Sequence, residues 1–364
     1  MLIRALIALT LTLCSPLSLA FSVVFINPGR SDEAYWVAAG QAMQAAADSL
    51  NIRFEQRFAE RDPLRVQQIA RDIVARPAAL RPDYVVATND KRTLVQVAQL
   101  LDTAGIKSFA AFSGLQDDER AQVGPPRDQI PRLLGSLEPN AEEAGYLTAK
   151  ALIAQGLRAK LQGTDGLLHL LAIAGDKSTP VSVLRNQGMQ RAVAEQAGKV
   201  RLEQIVYADW RRDKAAEQAG WLLARYPQAR LLWAGSDQMA FGAMEAAQKL
   251  GRTPGRDMLF SAINTSPEAM QARIAGRLCS LAGGHFMAGA WALVMLYDHH
   301  HGRDFADEGL ELDRPMFTLF DRPTAERYLQ RFGDGFGGID FRPFSKVLNP
   351  RLKRYDFRFG QVMR

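Results

Sequence analysis

Apolar positions along this chain keep alternating between two rhythms. Residues 22–26, Ser-Val-Val-Phe-Ile, form a β-branched and aromatic run that predicts a strand, and Asn27-Pro28-Gly29 stops it. Trp36, Ala39, Met43, Ala46 and Leu50 then recur at helical spacing. Residues 51–58 alternate as a second strand, and Asp62-Pro63 supplies a cap and a first-turn proline for a helix through Val74. Strands over 83–88 and 107–112 bracket a helix over 92–103. A stretch over 113–131, rich in Gly, Pro, Asp and Gln, reads as a surface loop. A strand over 133–137 and a helix opening at Asn140 follow it.

The rhythm then resumes. Strands are predicted over 167–174, 200–207, 231–234, 258–263 and 278–282, with helices over 183–197, 213–226, 238–250, 267–276 and 288–299. The order is less regular from Arg303 on, and the tail over 341–364 is aromatic and basic. Alternation of this kind is the beat of βαβ units and predicts an α/β fold, here two doubly wound parallel-sheet lobes facing each other.

In open α/β sheets ligands bind outside the carboxyl ends of the strands, and pockets favour interfaces between lobes. The positions that follow the strands are Asn27 with Tyr35 and Trp36, then Asn89 and Asp90, Asn140, the 177–185 segment, Trp210, Ser236 and Asp237, Asn264, and the 283–285 segment ending in His285. Planar amides and carboxylates pair with hydroxyls, and aromatic faces cover C–H patches, so the set suits a neutral polyhydroxylated ligand. Each residue also has a plainer use. Asp237 can simply cap the helix it opens, Asn264 can serve its loop, and Trp36 shares a helix face with Met43. Trp210, between Asp209 and Arg211, is oddly placed for a core residue.

Composition narrows the class. The 364 residues are 47% apolar and 23% charged, a globular balance long enough for two domains. The net charge of +6 comes from scattered basic residues, which argues against nucleic acid. Met1 to Arg4, the apolar 5–13 run and Ser18-Leu19-Ala20 have the make-up of a secretory signal cleaved after Ala20. Cys14 raises lipidation as the alternative, although Leu13 precedes it. Cys279 would be the one mature cysteine and reads as a small buried hydrophobe. Successive helical residues point in different directions, so His299-His300-His301 cannot converge on one metal, and no metal or cofactor is expected. Neither phosphate-loop glycine motif nor a nucleophile elbow occurs, so no catalytic residue is assigned.

The segment Ala234-Gly-Ser-Asp-Gln-Met-Ala-Phe-Gly-Ala-Met-Glu-Ala resembles the Asn-Asp-x-Met-Ala-x-Gly segment of type I periplasmic solute-binding proteins, the ribose- and galactose-binding class. The likeness runs to about Gly302 with the order of elements intact. It implies two lobes joined by three crossovers that close on a sugar-like ligand. By the same resemblance, Asp90 matches the ligand-binding aspartate of the first lobe, Arg185 the sugar-contacting arginine, and Trp210 the stacking aromatic. Ser236 stands for the family's asparagine and Asn264 for its aspartate, and the usual amide near Gly283 is missing. These changes argue against an ordinary aldopentose or aldohexose. Pro28-Gly29 with Asp32, Tyr35 and Trp36 is similar to the periplasmic autoinducer-2 receptor, but Ile263 and Gly284 replace the second tryptophan and arginine of its site, which argues against the same signal molecule.

The resemblance implies a monomeric periplasmic receptor, serving either the permease of an ABC (ATP-binding cassette) importer or a membrane sensor such as a kinase or cyclase. The expected division is residues 1–20 as signal peptide, 21–136 with about 286–316 as the first lobe, and 137–285 with about 317–364 as the second lobe and tail. A transcriptional repressor of the same fold would carry DNA-reading helices where the signal peptide stands.

Overall fold

The computed structural model describes residues 21–363, so the signal-peptide and Cys14 readings lie outside the described residues. The first sheet contains β1 (Ser22–Asn27), β2 (Arg53–Phe58), β3 (Tyr84–Ala87), β4 (Lys107–Ala111), β5 (Leu133–Pro139) and, from late in the chain, β11 (Glu311–Arg314). The second contains β6 (Leu168–Ala174), β7 (Val200–Tyr207), β8 (Leu231–Ala234), β9 (Leu259–Ile263), β10 (Ser280–Gly283) and the short β12 (Thr318–Leu319). Their spatial orders are β11-β5-β4-β3-β1-β2 and β12-β10-β9-β8-β6-β7, so the second sheet repeats the first with β6 in the place of β1. All pairs are parallel except β12 with β10. Helices cover both faces of a parallel sheet, which is why β3, β8 and β9 are buried at every position.

The helices are α1 (Ala34–Leu50), α2 (Pro63–Val74), α3 (Leu94–Thr103), α4 (Asp117–Val123), α5 (Ala141–Arg158), α6 (Pro180–Ala194), α7 (Arg212–Arg225), α8 (Asp237–Lys249), α9 (Pro267–Ile274), α10 (Ala288–His300), α11 (Arg322–Phe332) and α12 (Phe359–Val362). Side chains of Asp62, Asn140, Ser236 and Ser266 accept the free amides at the starts of α2, α5, α8 and α9. The predicted loop over 113–131 contains α4, held by a capping box between Gln116 and Glu119. The stretch read as irregular contains α11, capped by Asp321 and packed on α9 through an apolar stripe of Ala325, Tyr328 and Phe332.

The chain passes between the sheets three times, after β5, between β10 and α10, and between β11 and β12. Because α10 packs on α1, β4 and β5, it belongs with the first sheet. Strands of both sheets therefore point their carboxyl ends into the space between the two bodies.

Candidate functional site

Backbone strain marks the rim of that space. Non-glycine residues with positive φ follow five strands: Glu60 and Arg61 after β2, Lys91 and Arg92 after β3, Phe112 after β4, Asp209 and Trp210 after β7, and Asn264 after β9. Each costs on the order of 1–2 kcal/mol, and such strain collects where side-chain aim matters. Here Arg61, Phe112, Trp210 and Asn264 all line one cavity of about 70 Å³ between the lobes.

Of the residues expected from sequence, Tyr35, Trp36, Asp90, Arg185, Trp210, Ser236, Asp237, Asn264 and His285 line this cavity. Asn27, Asn89 and Asn140 do not: the Asn140 side chain caps α5 by accepting from the Glu143 amide, and local hydrogen bonding likewise explains the other two. The Asn27 amide donates to the Trp36 carbonyl at 3.1 Å while its oxygen accepts from Gly29. Asn89 donates to the Gly114 carbonyl and to Glu119, and its oxygen accepts from Leu94 at the start of α3. Both asparagines shape the loops that follow their strands, and neither has an amide left for a ligand.

The first lobe contributes a charged network. Arg61 donates from Nε to Glu33 at 3.0 Å, and its Nη1 lies 3.4 Å from Asp90 Oδ1. Burial pushes the Asp90 carboxyl above its ordinary range, against the pull of Arg61. The Arg61 guanidinium also reaches over two indoles, 5.7 Å from the Trp36 ring and 5.9 Å from that of Trp210.

The second lobe holds a buried arginine. Arg185 donates to the Gly235 carbonyl at 2.7 Å and, through Nη2, to His285 Nε2 at 2.8 Å. Burial lowers its pKa to about 10, so it stays charged at neutral pH. Burial, and then the Arg185 charge, pull the His285 pKa well below 6.5, leaving the ring neutral. A guanidinium can only donate, so Nε2 accepts and the ring proton sits on Nδ1. Asp237 accepts from Asn264 at 2.9 Å, and burial raises its pKa. Trp210 donates from Nε1 to Asp176 at 2.8 Å. Burial alone would raise the Asp176 carboxyl, but donors from Thr179, Ser178 and Trp210 hold it well below its ordinary value.

Contacts across the space hold the lobes together at this site. The Thr179 hydroxyl oxygen lies 3.2 Å from Asp90 Oδ1, Lys91 pairs with Asp176 at 3.2 Å, and the Tyr35 and His285 rings stack at 4.7 Å. Inside, Trp36 Nε1, Arg185 Nε and His285 Nδ1 are buried with no partner in the protein, as is Ser113 Oγ. Buried donors without partners are costly, so they favour a guest that brings acceptors. Carboxylates at Asp90 and Asp237 offer acceptors in return, and aromatic rings form the walls. Among the described residues no His, Cys, Asp or Glu side chains gather in threes as a metal site. Burial pushes the Cys279 thiol up to about 12, far from a nucleophile's range.

Sequence reasoning missed Glu33, Arg61, Thr88, Phe112, Ser113 and Gln238 in the lining. The signal available for Arg61 was its place between a strand and the capped start of α2, the position that Trp210 occupies between β7 and α7 in the second lobe.

Comparison with known proteins follows the same lines. A family profile described as "Periplasmic binding protein domain" matches residues 23–304. The chain is similar to the crystal structure of a periplasmic sugar-binding protein from Pseudomonas fluorescens, with 39% identity, 94% of this chain and 99% of that chain covered, and a TM-score of 0.84. A solute-binding protein of an ABC transporter from Actinobacillus succinogenes, with bound D-allose, shares the fold at 17% identity, covering 85% of this chain and all of its own, with a TM-score of 0.71. The binding component of the arabinose ABC transporter from Shewanella, bound to L-arabinofuranose, does so at 18% identity and a TM-score of 0.68, with 85% of this chain and 94% of that one covered. A search of curated proteins returns no match.

Proposed function

We propose a function on the premise that this chain belongs to the periplasmic binding protein family: it is the substrate-binding component of an ABC importer for a sugar. It closes two lobes on one small polyhydroxylated molecule and presents the closed form to a membrane permease. The observation that carries the reading is the set of idle donors on Trp36, Arg185 and His285, facing a cavity that also holds the Asp90 and Asp237 carboxylates. A hydroxyl both donates and accepts, so a polyol or sugar meets both sets, and the aromatic walls suit its C–H faces. The 39% identical relative, itself a periplasmic sugar-binding protein, supports the same ligand class.

Binding bridges the lobes and so favours the closed arrangement, a population shift with no chemical step. The chain acts in the periplasm as a monomer, after cleavage behind Ala20, and not as an enzyme. Ligand contacts are assigned to Tyr35, Trp36, Asp90, Arg185, Trp210, Ser236, Asp237, Asn264 and His285, with Arg61 added. The lobes are residues 21–136 with about 286–316, and 137–285 with about 317–364, except that 341–357 go with the first lobe, on which they pack.

A thermal-shift screen with pentoses, hexoses, polyols and nucleosides tests this. A ligand held only by the native state at a hundredfold excess over its Kd adds about 2.7 kcal/mol. At least one sugar or polyol is expected to raise the melting temperature, and a flat response across the panel would refute the reading. The second reading, a sensory receptor, draws on Tyr35 and Trp36 both lining the cavity. It is separated from the first by whether the liganded protein stimulates a permease's ATPase or a sensor's output.

A further inference from the structure

The chain does not stop at its third crossing. After α11 it leaves the second lobe again, and Phe341 donates its backbone amide to Ser49 in α1. The next residues are anchored on α10 by Asp298, which is fully buried. Its carboxylate accepts from the Ser345 hydroxyl, from the amides of Lys346 at 2.7 Å and Val347 at 3.2 Å, and from the Tyr355 hydroxyl at 2.8 Å. Lys346 adds a buried ion pair to Glu308 at 2.6 Å, and Phe357 stacks on Trp291 of α10 at 5.4 Å. A carboxylate that accepts from four donors fixes its segment firmly, because each lost partner would leave a buried charge less solvated.

The chain then turns back to the second lobe. Phe359 packs among Phe320, Tyr328 and Phe332, with ring centroids 6.0–6.3 Å away, and Arg331 donates to the Val362 carbonyl at 2.7 Å. Phe359 also lies against the second crossing itself. A Cβ on Gly284, whose φ is +108°, would stand 2.5 Å from Phe359 Cγ, and the neighbouring Phe286 ring lies 5.5 Å away.

We propose that residues 333–363 form a clasp across the hinge, anchored on Asp298 in one lobe and on the Phe359 cluster in the other, which limits how far the lobes open. Two further passes of chain join the bodies in addition to the three crossings, and one is wedged onto a crossing where a glycine backbone could otherwise swing. Opening that turns the Gly284 segment must either slide Phe359 off its neighbours or pull the tail from Asp298. Either move breaks apolar packing or buried hydrogen bonds, so the clasp confines the free protein to a narrow range of lobe angles.

The test uses the chain from Phe21 onward without ligand, carrying spin labels at Leu64→Cys on α2 and Val183→Cys on α6, both exposed and one in each lobe, with Cys279 changed to Ala. Electron–electron resonance reads the distance between the labels. Phe359→Ala is expected to give a longer mean separation and a broader distribution than the parent. Tyr355→Phe, which removes one bond to Asp298 and spares the packing, is expected to move it the same way by less, and it carries the test alone if Phe359→Ala does not fold. Distributions that superimpose on the parent, even with a lowered melting temperature, would show that the tail only stabilises the fold and would overturn the proposal.

Discussion

Gly175 follows β6 and does not itself line the cavity, yet its substitution by alanine is expected to damage binding more than folding. A Cβ at this position would lie 2.2 Å from Cζ2 of Trp210, 2.4 Å from Cε2 and 2.5 Å from Cη2. Non-bonded carbons rest about 3.5–4.0 Å apart, so the indole edge must retreat by at least about 1.3 Å. The retreat pulls Nε1 from Asp176, now 2.8 Å away, and moves the ring relative to Arg61 and Arg185, whose guanidinium carbons lie 5.9 and 5.8 Å from its centroid. A misplaced aromatic face and two disturbed cation–π contacts together amount to on the order of 2–3 kcal/mol, or about 30–150-fold in Kd.

The fold should suffer less. Gly175 is not among the glycines in the left-handed region, so alanine fits its backbone, and the stiffer unfolded chain returns about 0.4–1 kcal/mol. Titration calorimetry with the sugar giving the largest thermal shift measures the first effect, and far-ultraviolet dichroism with a melting curve measures the second. Gly220→Ala is the control, since a Cβ there meets nothing within 4 Å. A Gly175→Ala protein that binds within twofold of the parent would refute the placing of Trp210 against the ligand.

Two further outcomes are expected. The depressed pKa of His285 means that the unfolded chain takes up its proton near pH 6.5 while the folded protein resists, so this contribution is intact above that pH and is lost as the pH falls toward the folded value. Melting temperatures measured downward from pH 7.5 should therefore decline more steeply for the parent than for His285→Gln, and parallel slopes would contradict a buried neutral imidazole. Lys91 and Asp176 pair between the lobes, with the Lys91 side chain 29% exposed. Lys91→Gln should favour the open form by about 1 kcal/mol or less, roughly fivefold at most, and weaken the salt dependence expected of the parent's inter-lobe distance. A variant as salt-sensitive as the parent would mean that the pair does not contribute to closure.

The fold was legible because the alternating rhythm of strand and helix is written in local burial, and strand ends with their capped helices repeat through both halves of the chain. Where reading failed, the missing information was not local. The α4 helix is seven residues long and depends on a reciprocal cap between Gln116 and Glu119, too short to register as a period. Arg61 sits in Ala-Glu-Arg-Asp-Pro, which looks like a solvated turn; only the positive φ of Glu60 and Arg61 turns its guanidinium into the cavity. Asn27 and Asn89 erred the other way. Their position after a strand made them ligand candidates, but a short amide finds its own loop before it finds a guest.

The glycines carry the deeper lesson. Gly29 after β1 and Gly175 after β6 look like ordinary strand stops, but β1 and β6 hold the same place in their sheets. A Cβ on Gly29 would lie 2.1 Å from Trp36, just as one on Gly175 would strike Trp210. Each lobe thus leaves out a side chain behind its first strand so that an indole can stand at the strand's carboxyl end. Arg61 lies within reach of both rings, and it holds Asp90 through an ion pair. The two halves share little visible sequence because the repeated feature is the vacancy behind the ring, which a sequence records only as glycine. This arrangement ties recognition to closure. The Trp210 indole comes into register with Trp36 and Arg61 of the other lobe only when the lobes meet, so a substitution that shifts either ring weakens ligand binding and the closed state together.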